Sequence, residues 1–111
     1  MASRILVDKG VREYVGAAQI IRQSRNNVEF LLAGTPDPGN PSSIHDSEVV
    51  QWESVSGLRM LGYVEKIRDL LRSVDIFVLP RYREGLPRSL LEAASCHLPI
   101  VTTDVPGCND V

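Results

Sequence analysis

The sequence predicts an α/β fold, a Rossmann-like, doubly wound parallel sheet, on three observations. Apolar residues recur at helical spacing in four segments of the 111 residues, short apolar runs follow each of them, and Gly, Asn or Pro punctuates nearly every junction. Strands that alternate with helices over short connections pair in parallel, because right-handed crossovers lay a helix over each strand pair. Ligands of such sheets bind beyond the carboxyl ends of the strands.

The first helix runs from about residue 10 to Arg25, where Val11, Val15, Ala18 and Ile21 form one apolar stripe. Asn26-Asn27 breaks it, and Val28 to Ala33, ending at Gly34, suits a buried strand. Thr35 to Ser43 carries three prolines and is a loop. Ser43 followed by Asp46 resembles a reciprocal helix cap, which predicts a second helix to about Val55. Leu58 to Leu61 is a strand ending at Gly62, and Ile67, Leu70, Leu71 and Val74 mark a third helix. Asp75 to Leu79 is the clearest strand of the chain. A fourth helix opens near Pro87, whose missing N–H costs nothing in a first turn, and buries Leu90, Leu91 and Ala94. Pro99 to Thr103 is the last strand, after which Val105-Pro106-Gly107 turns the chain away.

Composition narrows the functional classes. An apolar fraction of 43% with 23% charged residues describes a globular domain with one core. A formal charge of -2 gives nucleic acid or anionic lipid no broad attraction, so any anion site is local. Cys96 and Cys108 stand outside CxxC spacing and read as reduced and uninvolved. Met1-Ala2-Ser3-Arg4 lacks the apolar core of a secretory signal, and no stretch approaches the ~20 apolar residues of a bilayer span, so the expected location is cytoplasmic.

The informative segment runs from a strand end into a helix start as Pro80-Arg81-Tyr82-Arg83-Glu84-Gly85-Leu86-Pro87-Arg88-Ser89-Leu90-Leu91-Glu92-Ala93. Glu84 in the loop and Glu92 in the helix stand on the order of 10 Å apart at ~1.5 Å rise per residue. Two such carboxylates can accept hydroxyl protons at separate points of one ligand, while a helix N-terminus favours its anionic part. Hydrolytic carboxylates instead converge on a single bond at roughly 5 to 9.5 Å, which disfavours a glycosidase pair. His45 and His97 are isolated, Trp52 reads as packing, and Arg81, Arg83 and Arg88 read as a solvated face. Gly34-Thr35 and Gly62-Tyr63 are weaker candidates to approach a ligand through the backbone.

The Glu-x7-Glu spacing of Glu84 and Glu92, together with Pro99-Ile100-Val101-Thr102-Thr103-Asp104-Val105-Pro106-Gly107, closely resembles family 4 glycosyltransferases of the GT-B fold. Arg4 and Lys9-Gly10 match that family's other donor-site motif. The resemblance implies the C-terminal, donor-binding half of the enzyme. It implies Glu84 on donor-sugar hydroxyls, Glu92 on the ribose diol, and backbone N–H groups around Leu86 on the sugar and phosphates, with Gly85 and Pro87 beside it also contacting the donor. Arg4 and Lys9 would hold the leaving diphosphate, Arg by a bidentate grip and Lys as a compact charge. The substrate would be a nucleotide diphosphate sugar, most simply of the UDP type, transferred to a hydroxyl acceptor with retention, without cofactor or metal.

The match departs in places. Cys96-His97 stands where the family commonly has a small residue and glycine, so the preceding helix needs a non-glycine cap. Arg81 replaces the small hydroxyl common after Pro80 and alters donor-site electrostatics. The family also places an acceptor domain and a strand before Arg4 and further structure after Val111. The expectation is therefore one domain over 1–111, incomplete at both ends, with Ala2 to Val7 filling a central strand position and open strand edges favouring self-association. Such a piece binds donor without turnover, and the parent enzyme can sit at the inner membrane face. The alternative is a Rossmann-like interaction module without donor binding. A phospho-accepting receiver domain would need an Asp ending a central strand, and Val78-Leu79-Pro80 offers none.

Overall fold

A computed structural model describes residues 1–82 and 87–104. Its elements follow the predicted alternation: α1 (Val11–Ser24), β1 (Phe30–Ala33), α2 (Asp46–Trp52), β2 (Leu58–Gly62), α3 (Ile67–Leu71), β3 (Phe77–Leu79), α4 (Arg88–Ser95) and β4 (Ile100–Thr102), with a 3-10 turn at Val7–Lys9 before them. All ladders between these strands are parallel. β1 pairs with β2 from Phe30↔Leu58 to Ala33↔Gly62, slipping one residue after Leu32, and β3 pairs with β4 from Phe77↔Ile100 to Leu79↔Thr102.

The amino-terminal segment lies along the other edge of β1. The Ala33 N–H donates to Met1 O at 2.9 Å and the Ser3 N–H donates to Ala33 O at 3.0 Å, while the Gly34 N–H turns to Gly62 O at 2.7 Å. Successive residues of a strand point their polar groups to opposite sides, so β1 is flanked by this segment and by β2. Ala2↔Ala33 is an isolated parallel bridge rather than a full strand. The reason is local: the Leu6 N–H folds back to Arg4 O at 3.0 Å and the Val7 N–H goes to Ser42 O at 2.9 Å, which bends the chain out of the sheet. Ala2 to Val7 thus pairs with β1 through one bridge and does not fill the expected central strand, and the four strands stand as two hydrogen-bonded pairs, β1-β2 and β3-β4.

One core joins both strand pairs. Ile5, Val11, Leu32, Ile44, Phe77, Leu79 and Leu90 are almost fully buried in it, and Trp52 packs there as expected. Tyr14 is the member the helical stripe omitted: its ring meets Phe30 edge-on at 5.7 Å and its hydroxyl donates to Leu31 O at 2.9 Å. Burial pushes this phenol up to about 12. Ile21, assigned to the stripe, faces solvent, because the stripe turns through Tyr14 and Ala18. In α4 the buried residues are Leu90 and Ala93, three apart, whereas Leu91 and Ala94 are exposed.

Three helix boundaries, both ends of α2 and the start of α4, differ from expectation. The residue before α2 is His45, without a side-chain cap, because the Ser43 hydroxyl is occupied in the loop by the Asp37 N–H at 3.0 Å. The helix also stops at Trp52, short of Val55, whose N–H bonds back to Trp52 O at 3.0 Å in a tight turn. Pro87 precedes α4 as its cap in extended backbone rather than as its first residue.

The end of α4 bears out the non-glycine cap. His97 takes φ 60°, its N–H donates to Ala94 O at 3.0 Å and the Leu98 N–H donates to Ala93 O at 3.2 Å, the paired bonds of a Schellman closure. A left-handed residue with a Cβ carries strain that glycine lacks. His97→Gly is therefore expected to raise the unfolding free energy by about 1 kcal/mol, read from the urea midpoint at constant slope. A lowered midpoint would mean that the imidazole makes a compensating contact.

Candidate functional site

A cleft of about 370 Å³ opens at the carboxyl ends of β1, β2 and β3 and against the first turns of α4. This is the position that a doubly wound sheet reserves for ligands, and the volume falls within the range of small-molecule sites. Ala33, Gly34 and Thr35 bring β1 to it, Tyr63 and Val64 follow β2, Leu79 and Arg81 follow β3, and Arg88, Ser89 and Glu92 come from α4.

Three of the seven site residues inferred from sequence meet here: Arg4, Lys9 and Glu92 all line the cleft. They arrive from different origins. Arg4 follows the segment alongside β1, Lys9 ends the 3-10 turn, and Glu92 lies on the second turn of α4, one turn beyond the cleft-lining Arg88 and Ser89. Pro87 is buried and sets the start of α4, but it is not among the lining residues. Glu84, Gly85 and Leu86 lie outside the described residues, as does Arg83.

Arg4 is already engaged. Its guanidinium donates to the Asp37 carboxylate at 3.1 Å across a solvent-exposed pair, an interaction worth little in water. Any anion in the cleft therefore competes with Asp37 for this side chain.

The largest departure from the sequence reading is Arg81. Grouped with Arg83 and Arg88 as a solvated face, it is in fact only 8% exposed and lines the cleft, because β3 ends there and the chain folds inward. Its N–H donates to Leu79 O at 3.1 Å and its carbonyl accepts from the Thr103 hydroxyl. Arg88 is exposed as expected, yet it lines the same cleft. Among the described residues, Arg4, Lys9, Arg81, Arg88 and Glu92 thus line one cleft in a chain whose formal charge is -2. Converging cations in a partly enclosed space focus a local field on anions that the net charge would not suggest.

The glycines after the strands have distinct roles. Gly34 lines the cleft at φ 146°, and a Cβ there would stand 1.7 Å from Ser3 O. Gly62, at φ 67°, is absent from the lining and instead gives its carbonyl to Gly34. Of the residues missed, Arg81 had one signal in the sequence, its replacement of a small hydroxyl after Pro80. Val64 and Ser89 had none, whereas Thr35 and Tyr63, weaker candidates after their strand-ending glycines, both line the cleft.

Among the described residues, no helix is long and apolar enough to cross a membrane. The profile of the family described as "Glycosyl transferases group 1" matches residues 1–111. The chain is 38% identical over 108 residues to N,N'-diacetylbacillosaminyl-diphospho-undecaprenol alpha-1,3-N-acetylgalactosaminyltransferase of Campylobacter jejuni, covering 97% of this chain and 27% of that enzyme. It is 29% identical over 107 residues to the capsular polysaccharide biosynthesis glycosyltransferase CapM of Staphylococcus aureus, covering 96% of this chain and 28% of CapM. The chain thus spans about a quarter of these relatives' length. Among solved structures it is similar to the pneumococcal O-GlcNAc transferase GtfA in complex with UDP and GlcNAc, with a TM-score of 0.80, 20% identity and coverage of 98% of this chain and 21% of that one. The UDP complex of Anabaena Alr3699/HepE matches with a TM-score of 0.80 and 22% identity, over 97% of this chain and 30% of that one.

Proposed function

This chain belongs to the group 1 glycosyl transferases, with the fold of a GT-B C-terminal domain, and from that premise we propose that its cleft holds a nucleoside diphosphate sugar as the donor of a glycosyl transfer. The observation that carries the reading is the convergence, among the described residues, of Arg4, Lys9, Arg81 and Arg88 with the Glu92 carboxylate at the ends of three strands. A diphosphate needs cations on one side, and a ribose diol needs an acceptor on another. Glu92 is that acceptor, and Arg4 and Lys9 meet the diphosphate.

In the parent enzyme the bond from the anomeric carbon to the diphosphate oxygen breaks and a bond to an acceptor hydroxyl oxygen forms, with retention at the anomeric carbon. Negative charge grows on the departing nucleoside diphosphate. Cations already in place around it stabilise the transition state more than the ground state, because no reorganisation is then required. A UDP-type donor is favoured by the UDP found with two similar folds, GtfA and Alr3699/HepE. The acceptor side belongs to a separate domain of the whole enzyme, so the 111 residues alone bind donor without turning it over.

The test is a pair of titrations. Glu84→Ala is expected to weaken binding of UDP-N-acetylgalactosamine about tenfold while leaving UDP within about twofold, since only the sugar hydroxyls lose an acceptor. Equal losses for both ligands in calorimetry would remove Glu84 from the sugar. No binding of either by the unaltered chain would leave an interaction module in place of a donor site.

A further inference from the structure

Two segments that supply cations to the cleft are sewn together just outside it. Lys9 sits at the end of the 3-10 turn, and Arg81 two residues past β3. Beside Lys9, Gly10 packs so tightly against β3's exit that a Cβ would lie 1.7 Å from the Pro80 carbonyl oxygen. Beside Arg81, the Tyr82 N–H donates to Asp8 O at 3.1 Å, and the Tyr82 hydroxyl donates to the Glu13 carboxylate in the first turn of α1. The neighbour of each cation thus grips the other's segment.

Glu13 is itself on a fixed frame. The next residue back, Arg12, makes a two-pronged contact with Glu48 of α2, at 2.8 and 2.9 Å. Hydrogen bonding to that guanidinium holds the Glu48 carboxyl below its ordinary range. The first turn of α1 is therefore tied to α2 on one side and to the exit of β3 on the other.

We infer that Tyr82 is a positioning residue, a latch on Glu13 that holds Arg81 in register with Lys9 so that both cations meet one diphosphate. The inference rests on the donor reading above. A residue 54% exposed contributes little to the core, so the bonds of its backbone N–H to Asp8 and of its hydroxyl to Glu13 are better explained by placement than by burial. Cations pre-set at the right spacing lose less entropy on meeting the ligand, and the gain falls on the diphosphate rather than the base.

The experiment compares Tyr82→Phe, Glu13→Ala, Glu13→Gln and the Tyr82→Phe/Glu13→Ala pair in the full 111-residue chain. Tyr82→Phe and Glu13→Ala are each expected to weaken UDP about three- to tenfold, the size of one hydrogen bond, and to leave UMP within about twofold. The pair should be no worse than either alone, and Glu13→Gln, which keeps an acceptor oxygen, should stay near the unaltered chain. Additive losses, or equal losses for UMP and UDP, would overturn the latch. Amide exchange without ligand separates this from failure of the donor reading. The backbone N–H at position 82 should exchange several-fold faster in Tyr82→Phe and Glu13→Ala, and unchanged exchange overturns the latch whether or not UDP binds. Faster exchange in a chain whose parent sequence ignores UDP overturns the donor reading, and with it the latch's service to phosphates.

Discussion

Gly34→Ala is expected to lower the unfolding free energy by about 3–5 kcal/mol, a large share of what a domain of this size possesses. Two effects combine at this position. Its φ of 146° is one that residues with a Cβ rarely adopt, and the added carbon would stand 1.7 Å from Ser3 O, a backbone atom that no rotamer change can move aside. Relief requires parting the amino-terminal segment from β1, at the cost of the Ser3 N–H to Ala33 O bond and the Ile5 N–H to Thr35 O bond. Gly10→Ala should behave similarly, with φ 76° and a Cβ 1.7 Å from Pro80 O. The contrast is Gly16 inside α1, where an added Cβ meets nothing within 4 Å. Gly16→Ala is expected to stabilise by about 0.5–1 kcal/mol. Urea denaturation of the three variants checks the ranking, and a Gly34→Ala midpoint equal to that of Gly16→Ala would mean that the segment does not lie against β1.

Lys9→Ala is expected to weaken UDP binding by about 10- to 100-fold, the range for loss of one charge-assisted hydrogen bond to phosphate. Arg4→Ala should cost less, about three- to tenfold, because its guanidinium must first leave Asp37 and is largely exposed to water. Raising ionic strength should weaken the unaltered chain more than either variant, since each variant has one fewer charge to screen. Calorimetric titration at two salt concentrations reads all of this, alongside thermal midpoints that should stay close to the parent's. Retention of full UDP affinity in Lys9→Ala would take the diphosphate out of this cleft.

Much of the site was legible in one dimension because its position follows from topology. Once four strands alternate with four helices, the carboxyl ends of β1, β2 and β3 gather on one side, and Arg4, Lys9 and Glu92 come together there as inferred. The Cys96-His97 junction was legible for a different reason. A helix that ends without glycine must put a Cβ-bearing residue into the left-handed region, and His97 does so. Arg81 was legible only in part, as a departure from the family pattern after Pro80, and its burial was not. The residues that follow it, Tyr82, Arg83 and Glu84, are polar or charged, as on a solvated face, and only the inward fold after β3 buries it. The cap at Ser43 failed for a comparable reason, since the Asp37 N–H, six residues upstream, took the hydroxyl that the capping pattern assigned to α2.

Apolar periodicity and the punctuation between segments determined the order of helices and strands, that the strands pair in parallel, and which of their ends border the cleft. Tertiary structure alone decided that Met1 to Ile5 borders β1 through a single bridge, that Arg4 leans on Asp37, and that Tyr82 reaches Glu13 across 69 residues. Period and propensity describe the face each element must bury, which is a property of neighbours in sequence. Pairings between distant residues depend on how those faces stack and where the chain turns, and no local pattern carries that information.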